Sequence, residues 1–526
     1  MRNNAYRICF AIILLGIMCL GACKTTSSKQ TKERENPNVI YILADDLGYG
    51  ELGCYGQKLI ETPHIDQLAK NGILFTQHYS GAPVCAPSRC MLMTGKHPGH
   101  AQIRGNDEWK ERGDVWNYRA QAADSTLEGQ RPLAADTKTL ARMMKKAGYT
   151  TGVVGKWGLG APHTHSTPIK MGFDFFVGYN CQRQAHTYYP LHLYKNEARL
   201  YLDNDTVAPG TKLEIGADPY DLNSYKNYNL NTYSGDVMFD ELTGFINDNN
   251  PKETGHPFFM YWATPIPHAP LQAPQKWVDY YVDKFGNEEP YTGKKGYFPH
   301  RYPHAAYAAM VSYMDEQVGL MVKQLKELEI YDNTLIIFTS DNGPTYNGGT
   351  DSPWFNSGGP FNSEYGRGKG FTHEGGLRVP MVASWPGHIQ PGSQSNHISA
   401  FWDVMPTLCE IAGIDAPDDT DGISFMNALT GKEQKAHDYL YWEYPEYGGQ
   451  QAVRMGKWKG IRKNIKKGNM QLELFNLDED IQEQEDLSSQ FPEVVKEMES
   501  IMVKEHQPAE LDRFKMKALG DSLDVK

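Results

Sequence analysis

Cys85-Ala86-Pro87-Ser88-Arg89 brings a thiol, a ring-locked proline and a guanidinium into one short stretch, running on through Cys90-Met91 to Leu92-Met93-Thr94-Gly95. Pro87 suits the first turn of a helix, so the sequence predicts a helix starting just after Cys85. Backbone N–H groups and the helix dipole at such a start favour an anion or a thiolate. A half-buried cysteine ahead of a helix would use the same residues. Other chemistry-bearing residues are scattered: the pair Asp45-Asp46, then Lys156, His268, Asp341-Asn342 and Lys369. Adjacent carboxylates repel unless they are solvated or neutralised by a cation. Taken alone, the Asp pair also fits a solvated loop.

The segments around these residues say what must position them. Residues 38–44, 149–155, 257–263, 333–339 and 379–385 are short, nearly continuous apolar runs, the pattern of parallel strands buried on both faces. Residues 73–79 read as a further strand. Helices are predicted over 62–71 (Thr62 as N-cap, Pro63 at the first position), 140–147 and 304–329, the last with a Met-rich apolar stripe. The alternation predicts an α/β fold: a large, mostly parallel sheet sandwiched by helices. Asp45-Asp46, Lys156, His268 and Asp341-Asn342 then fall at, or a few residues past, strand carboxyl ends, where open α/β sheets bind ligands. Residues 160–235 read as a long binding loop carrying His163, His165, Arg183 and His186. From about 430 the pattern shifts to antiparallel strands (452–463, 471–476) and a helix (492–504), predicting a smaller C-terminal α+β domain over 431–526 beside a main domain over 37–430.

The stretch from Cys85 to Gly95 resembles the signature of type I sulfatases, Cys-x-Pro-Ser-Arg-x-x-Leu-x-Thr-Gly, whose cysteine is oxidised to formylglycine by a maturating enzyme. The resemblance implies an alkaline-phosphatase-like fold and one divalent cation held by Asp45, Asp46, residue 85, Asp341 and Asn342. Such hard oxygen donors suit Ca²⁺, with Mg²⁺ second to it. It implies that the hydrated aldehyde attacks sulfur, forms a covalent sulfo-enzyme, and expels sulfate by collapsing back to the aldehyde. By position, Arg89 holds residue 85, Lys156 and Lys369 neutralise sulfate oxygens, and His268 protonates the leaving oxygen. One departure stands out: the family's Gly-Lys-Trp-His-Leu-Gly is Gly155-Lys156-Trp157-Gly158-Leu159-Gly160 here. The missing histidine is the family's proposed base for the second step. His163 or His165 could reach in to replace it, or the step could use solvent or metal.

Residues 1–22 read as a signal peptide: Arg2 and Arg7, an apolar run, then Leu20-Gly21-Ala22-Cys23. The ending resembles a bacterial lipobox. It implies lipidation of Cys23, a tether over 23–36, and an exported lipoprotein of a Gram-negative bacterium, periplasmic or held at the outer membrane, touching the membrane through its lipid alone. Losing Arg2 and Arg7 takes the formal charge from −12 to −14. Such a chain is a poor nucleic-acid binder, so an anionic substrate needs a local cluster of cations. Beyond Cys85, the thiols of Cys54, Cys90, Cys181 and Cys409 remain, with no pairing fixed by the sequence.

Residues 180–189 resemble a subset of sulfatases acting on galactose or N-acetylgalactosamine sulfates, as in mucin, chondroitin or dermatan fragments. This implies a sulfated oligosaccharide substrate, exo action at the 6- or 4-position, and sugar contacts from Arg183 and His186. Two other readings share the residues: a phosphomonoester or phosphonate hydrolase of the same superfamily, and a non-catalytic binder of sulfated glycans.

Overall fold

The computed structural model describes residues 36–522. The expected signal peptide and lipidation site, Cys23, and the expected tether as far as residue 35 lie outside the described residues. The described residues from Pro37 onward form one compact unit.

The large sheet contains β1 (Asn38–Ala44), β2 (Ile73–Tyr79), β3 (Thr150–Lys156), β4 (Phe175–Tyr179), β5 (His192–Lys195), β6 (Ala198–Tyr201), β7 (Phe258–Ala263), β8 (Thr334–Ser340), β9 (Arg378–Ser384), β10 (Ser393–Ser395) and β11 (Ser399–Ala400). Its order is β10-β2-β9-β8-β1-β7-β3-β4-β5-β6, with β11 also on β2. The run β8-β1-β7-β3-β4 is parallel throughout. β9 runs antiparallel to both β8 and β2.

Side chains alternate across a strand, and β1 shows the consequence. Val39, Tyr41 and Leu43 enter one apolar core while Ile40, Ile42 and Ala44 enter the other. Both faces are covered, as the unbroken apolar runs require. Helix α1 (Pro63–Asn71) and the Met-rich helix α4 (Pro303–Glu327) lie on the second face; α2 (Cys85–Thr94) and α3 (Leu140–Lys146) lie on the first.

Three expectations change. Thr62 stands at the α1 cap position but does not cap it; the Asp315 carboxylate, from α4, accepts the N–H groups of His64 (3.1 Å) and Ile65 (2.7 Å) instead. A tertiary partner thus supplies what a local hydroxyl was expected to give. Helix α2 begins at Cys85 itself, with Val84 as N-cap, so Cys85 belongs to its first turn rather than preceding it. Residues 160–235 are not all loop. They contribute β4, β5 and β6, whose four- and five-residue lengths, with Gly178 inside β4, leave little periodic signal.

A second, antiparallel sheet holds β12 (Leu440–Tyr444), β13 (Gln450–Met455), β14 (Trp458–Lys463) and β15 (Leu472–Asn476). Helix α5 (Pro492–Glu505) covers one face through Met498, Ile501 and Met502. The other face, including Trp442, Ala452 and Ile461, joins the core of the large sheet. This is the predicted α/β fold with its smaller C-terminal domain. The two sheets are also tied by charge: buried Lys459 on β14 reaches Glu374, just before β9, at 2.7 Å. Cys54, Cys85, Cys90, Cys181 and Cys409 are all free thiols.

Candidate active site

The adjacent parallel strands β8, β1, β7 and β3 end side by side, and that edge assembles the site. Asp45 and Asp46 follow β1, Lys156 is the last residue of β3, His268 lies five residues past β7, and Asp341 and Asn342 follow β8. The N–H of Asp45 donates to Ile266 O (3.1 Å) and that of Asp341 to Ala44 O (3.0 Å), carrying the ladder up to the site. Asp46 has φ of 67°, a left-handed conformation that aspartate tolerates better than most residues.

Helix α2 presents Cys85 to this edge. Its Sγ lies 3.1 Å from Asp45 Oδ1, 3.8 Å from Asp46 Oδ1 and 3.7 Å from Lys369 Nζ. Arg89, one turn on and wholly buried, donates to Asp341 Oδ2 through Nε (3.0 Å) and Nη2 (2.8 Å). It also donates to Asp45 Oδ2 (3.2 Å) and to the Lys156 carbonyl (2.5 Å). Arg89 therefore reaches position 85 through Asp45 rather than by a hydrogen bond of its own. Lys156 Nζ donates to Asp45 (2.5 Å) and Lys369 Nζ to Asp46 (2.7 Å). His268 places Nε2 3.6 Å from Asp46 Oδ2, while Nδ1 lies 2.6 Å from the Ala269 carbonyl. A carbonyl can only accept, so the proton sits on Nδ1 and Nε2 faces the site.

Burial dominates the electrostatics. Every residue of this group except Lys369 is at most 4% exposed. Burial would raise Asp45, but Lys156 first, and Arg89 and Lys369 with it, hold its carboxyl well below the usual range. Burial raises Asp46 despite Lys369, with Asp45 adding to the rise, and it pushes Asp341 up to about 6. The Cys85 thiol is pushed well above its ordinary value by burial, Asp341 and Asp45. The thiolate expected at a helix start is therefore disfavoured, because burial first, and the nearby carboxylates with it, penalise the charged form. As a plain thiol, Cys85 is a poor nucleophile here.

The donor set fits a hard divalent cation. Asp45, Asp46 and Asp341 supply carboxylates, and the Asn342 amide oxygen is buried with no hydrogen-bond partner. Asn342 Nδ2 meanwhile donates to Asp46 Oδ1 at 2.8 Å, so the amide oxygen is free to take a ligand's position. Three carboxylates face three cations, Arg89, Lys156 and Lys369. A divalent ion would leave the cluster positive, as capture of an anionic substrate requires.

A second group, His97, His100 and Glu505, also brings possible metal ligands within 4.8 Å of one another. There the Gly99 N–H donates to His97 Nδ1 (3.1 Å). That forces the proton onto Nε2, which points at Glu505 Oε2 (3.0 Å). A ring committed in this way is a hydrogen-bonded tie rather than a metal ligand.

The sugar-contact candidates divide. His186 stacks on His268, with ring centroids 5.3 Å apart. Arg183 packs on the Trp116 ring (4.8 Å to its centroid) and donates to the Trp116 carbonyl (3.0 Å). His163 and His165 are not brought to the cluster. His163 Nε2 pairs with the Ser125 hydroxyl (2.7 Å) and His165 Nε2 with the Leu133 carbonyl (2.7 Å). Neither stands in for the absent histidine. Gly158 has φ of 75°, and a Cβ there would come 3.3 Å from Gln182 Cγ.

Sequence reasoning missed three neighbours. Gln182 fills the space beside Gly158, with Oε1 buried and unpartnered. Asn106 Oδ1 accepts from Gln182 Nε2 (3.1 Å) and from the Ala86 N–H (3.3 Å), next to Cys85. Tyr297 sets its ring edge-on to His268 and His186, at 5.6 and 5.1 Å. Gln182 falls within the stretch 180–189 without standing out there, and nothing in the local pattern marks Asn106 or Tyr297; the fold brings all three to the site.

A family model described as Sulfatase matches residues 37–414, and one described as N-sulphoglucosamine sulphohydrolase, C-terminal, matches residues 364–508. The chain is 31% identical over 406 residues to the N-acetylgalactosamine-6-sulfatase of Homo sapiens, covering 75% of this chain and 66% of that one. It is 28% identical over 549 residues to the N-acetylgalactosamine-6-O-sulfatase of Bacteroides thetaiotaomicron, covering 93% and 97%. Among solved structures, Ps i-CgsB superposes with a TM-score of 0.69 at 28% identity, over 90% of this chain and 94% of that one. A further structure shows Ps i-CgsB in complex with k-i-k-neocarrahexaose, at a TM-score of 0.69 and 27% identity, with the same coverage.

Proposed function

We propose, from the premise that this chain belongs to the sulfatase family, that it removes O-sulfate from galactose or N-acetylgalactosamine units of host or algal glycans, acting at chain ends on the 6- or 4-position. The observation that carries the reading is the convergence of Asp45, Asp46, Cys85, Lys156, Lys369 and His268 on one buried point. The relatives named for N-acetylgalactosamine 6-sulfate support the choice of sugar, and the structure holding a carrahexaose supports a glycan.

Conversion of Cys85 to formylglycine would supply a hydrated aldehyde whose hydroxyl is the nucleophile, which suits a position where the thiolate is disfavoured. A calcium ion held by Asp45, Asp46, Asp341 and Asn342 would supply Lewis-acid charge. The chain's own residues do the rest. Arg89 locks Asp45 and Asp341 in orientation from below. With the carboxylates engaged by a cation, the Lys156 and Lys369 ammoniums are free to take sulfate oxygens in a dry pocket, where such donors are worth most. His268 offers Nε2 to the leaving oxygen. Burial and Lys369 hold its pKa well below the ordinary value, and the negative charge of a bound sulfate ester favours the protonated ring that the step needs. In the wider setting, the reading places the chain as an exported lipoprotein, anchored through Cys23 and matured by a formylglycine-generating enzyme.

The test is a screen of 3-, 4- and 6-sulfated galactose and N-acetylgalactosamine, alone and at chain ends, with Cys85→Ala as blank. Release of sulfate from a 6- or 4-sulfated sugar by the parent alone is the expected result; equal release by the blank, or none from any sugar, sinks the reading. Peptide mass separately checks the oxidation, because conversion of the thiol to the aldehyde lowers it by about 18 Da.

A further inference from the structure

A row of aromatic rings leaves the site on the side of Lys369. Tyr447, Phe371, Tyr365 and Tyr346 follow one another with ring centroids 5.5, 5.7 and 5.5 Å apart. Lys369 lies in the chain between Tyr365 and Phe371, and its ammonium contacts Asp46, so the row starts beside the chemistry. Two of its rings are unusually open to water: Tyr365 is 73% exposed and Tyr447 52%. Tyr447 is held at φ of 50°, a conformation bulky residues rarely adopt, ahead of Gly448 and Gly449. The fold thus keeps a ring in a disfavoured backbone state without burying it, and two exposed rings bridged by the half-buried Phe371 make the kind of open aromatic face that marks a binding surface.

The far end of the row opens into a cleft of about 550 Å³, lined by Tyr346 and Tyr365 together with Tyr291, Lys294, Lys295 and Asn347. That volume lies within the range of ligand pockets. The cleft and the catalytic pocket share a wall. Lys295 O accepts from Gly348 N (3.4 Å), and Tyr297, two residues on, turns its ring to His268. The chemistry on offer is mixed: flat rings, two exposed lysines, an amide and the carboxylates of Asp351 and Glu364. A pyranose matches it, with C–H faces for the rings and edge hydroxyls for the polar groups.

We propose that this aromatic row and the cleft at its end bind the sugar rings that follow the sulfated one, so that the preferred substrate is an oligosaccharide. The proposal rests on the sulfated-glycan reading above. It commits the site to a terminal sulfated sugar, with the remaining rings running outward over Tyr447 and Tyr365.

Two matched substrates test it: a sulfated monosaccharide and a tetrasaccharide ending in the same sulfated sugar. Tyr365→Ala and Tyr447→Ala are expected to raise KM for the tetrasaccharide about 5- to 10-fold, the scale of one lost ring contact, with kcat within about twofold. The monosaccharide should change less than about twofold, and Tyr365→Phe should behave as the parent because the ring, not the hydroxyl, does the stacking. Equal losses on both substrates, or none on either, overturn the proposal. Should the parent hydrolyse neither, the sulfatase reading fails, and the row is judged by calorimetric titration of Cys85→Ala. Tighter binding of the tetrasaccharide than of the monosaccharide, abolished by Tyr365→Ala, upholds the row; equal affinity for both lengths, or binding of neither, overturns it.

Discussion

Lys156 Nζ stands 2.5 Å from Asp45 Oδ2, with neither side chain more than 1% exposed. A buried ammonium with a carboxylate partner and the reactive position beside it is poised to trade one anion for another. Lys156→Met should lower kcat/KM by about 10²–10³-fold, the usual cost of one donor aimed at developing charge. Lys369→Met, which removes the ammonium 3.7 Å from Cys85 Sγ, should do the same. Lys156→Arg should not rescue, because the larger planar fork has no room at a wholly buried strand end. Steady-state kinetics on a sulfated sugar or aryl sulfate decides all three.

The acidic floor of the site implies a stability signature independent of turnover. Asp46 and Asp341 are both raised by burial and by Asp45 or Asp46 beside them, so the carboxylates repel and a divalent ion relieves them. Chelation should abolish activity and lower the thermal midpoint, and calcium should restore both. At about 100 times its Kd a ligand adds about 2.7 kcal/mol. Asn342→Ala should raise the calcium Kd by about tenfold or more while leaving the fold intact. Calorimetric titration with calcium checks this; an unchanged affinity would show that the orphaned amide oxygen is not a ligand.

The strand-end residues were legible because each follows a nearly continuous apolar run that marks a strand buried on both faces. Asp45, Lys156 and Asp341 follow directly from that edge, and His268 from the loop beyond β7. The hydrogen bonds of Arg89 were not legible, since they depend on α2 crossing the ends of three strands. Arg183 and His186 were marked by their loop and by the resemblance of residues 180–189, and the structure separates their surroundings, Trp116 for one and His268 for the other. His163 and His165 looked equivalent to them by composition alone; what excludes them is where the chain turns after Gly158, which no local pattern encodes. The strands β4 to β6 were hidden by their brevity.

Gly158 carries its own prediction. Its φ of 75° is a region L-residues avoid, and Gln182 crowds the space a side chain would need. Gly158→Ala should cost about 1–2 kcal/mol of stability from the backbone alone. Gly158→His should cost at least as much, and so should not simply install a second-step base. Denaturant unfolding of both variants measures the cost, and a neutral Gly158→Ala would contradict the left-handed assignment.

Stability should also fall with rising pH through two histidines near the C-terminal sheet. His506 sits between Glu443 (2.6 Å) and Asp521 (3.0 Å). Burial would lower its pKa, but these carboxylates win and raise it. His437 is likewise raised, against burial, by Asp403 at 2.7 Å. For a base whose folded pKa exceeds its unfolded value of about 6.5, the stabilisation is complete below that value and is lost as pH rises through the raised one. The thermal midpoint of the parent should therefore drop between about pH 6 and 8 by more than that of His506→Gln, and the double variant His506→Gln/His437→Gln should be flatter still. Comparing parent and variant at each pH removes the contribution of the many other buried acids, whose titration both proteins share. An identical slope in the three proteins would mean that neither histidine has a folded pKa above its unfolded value.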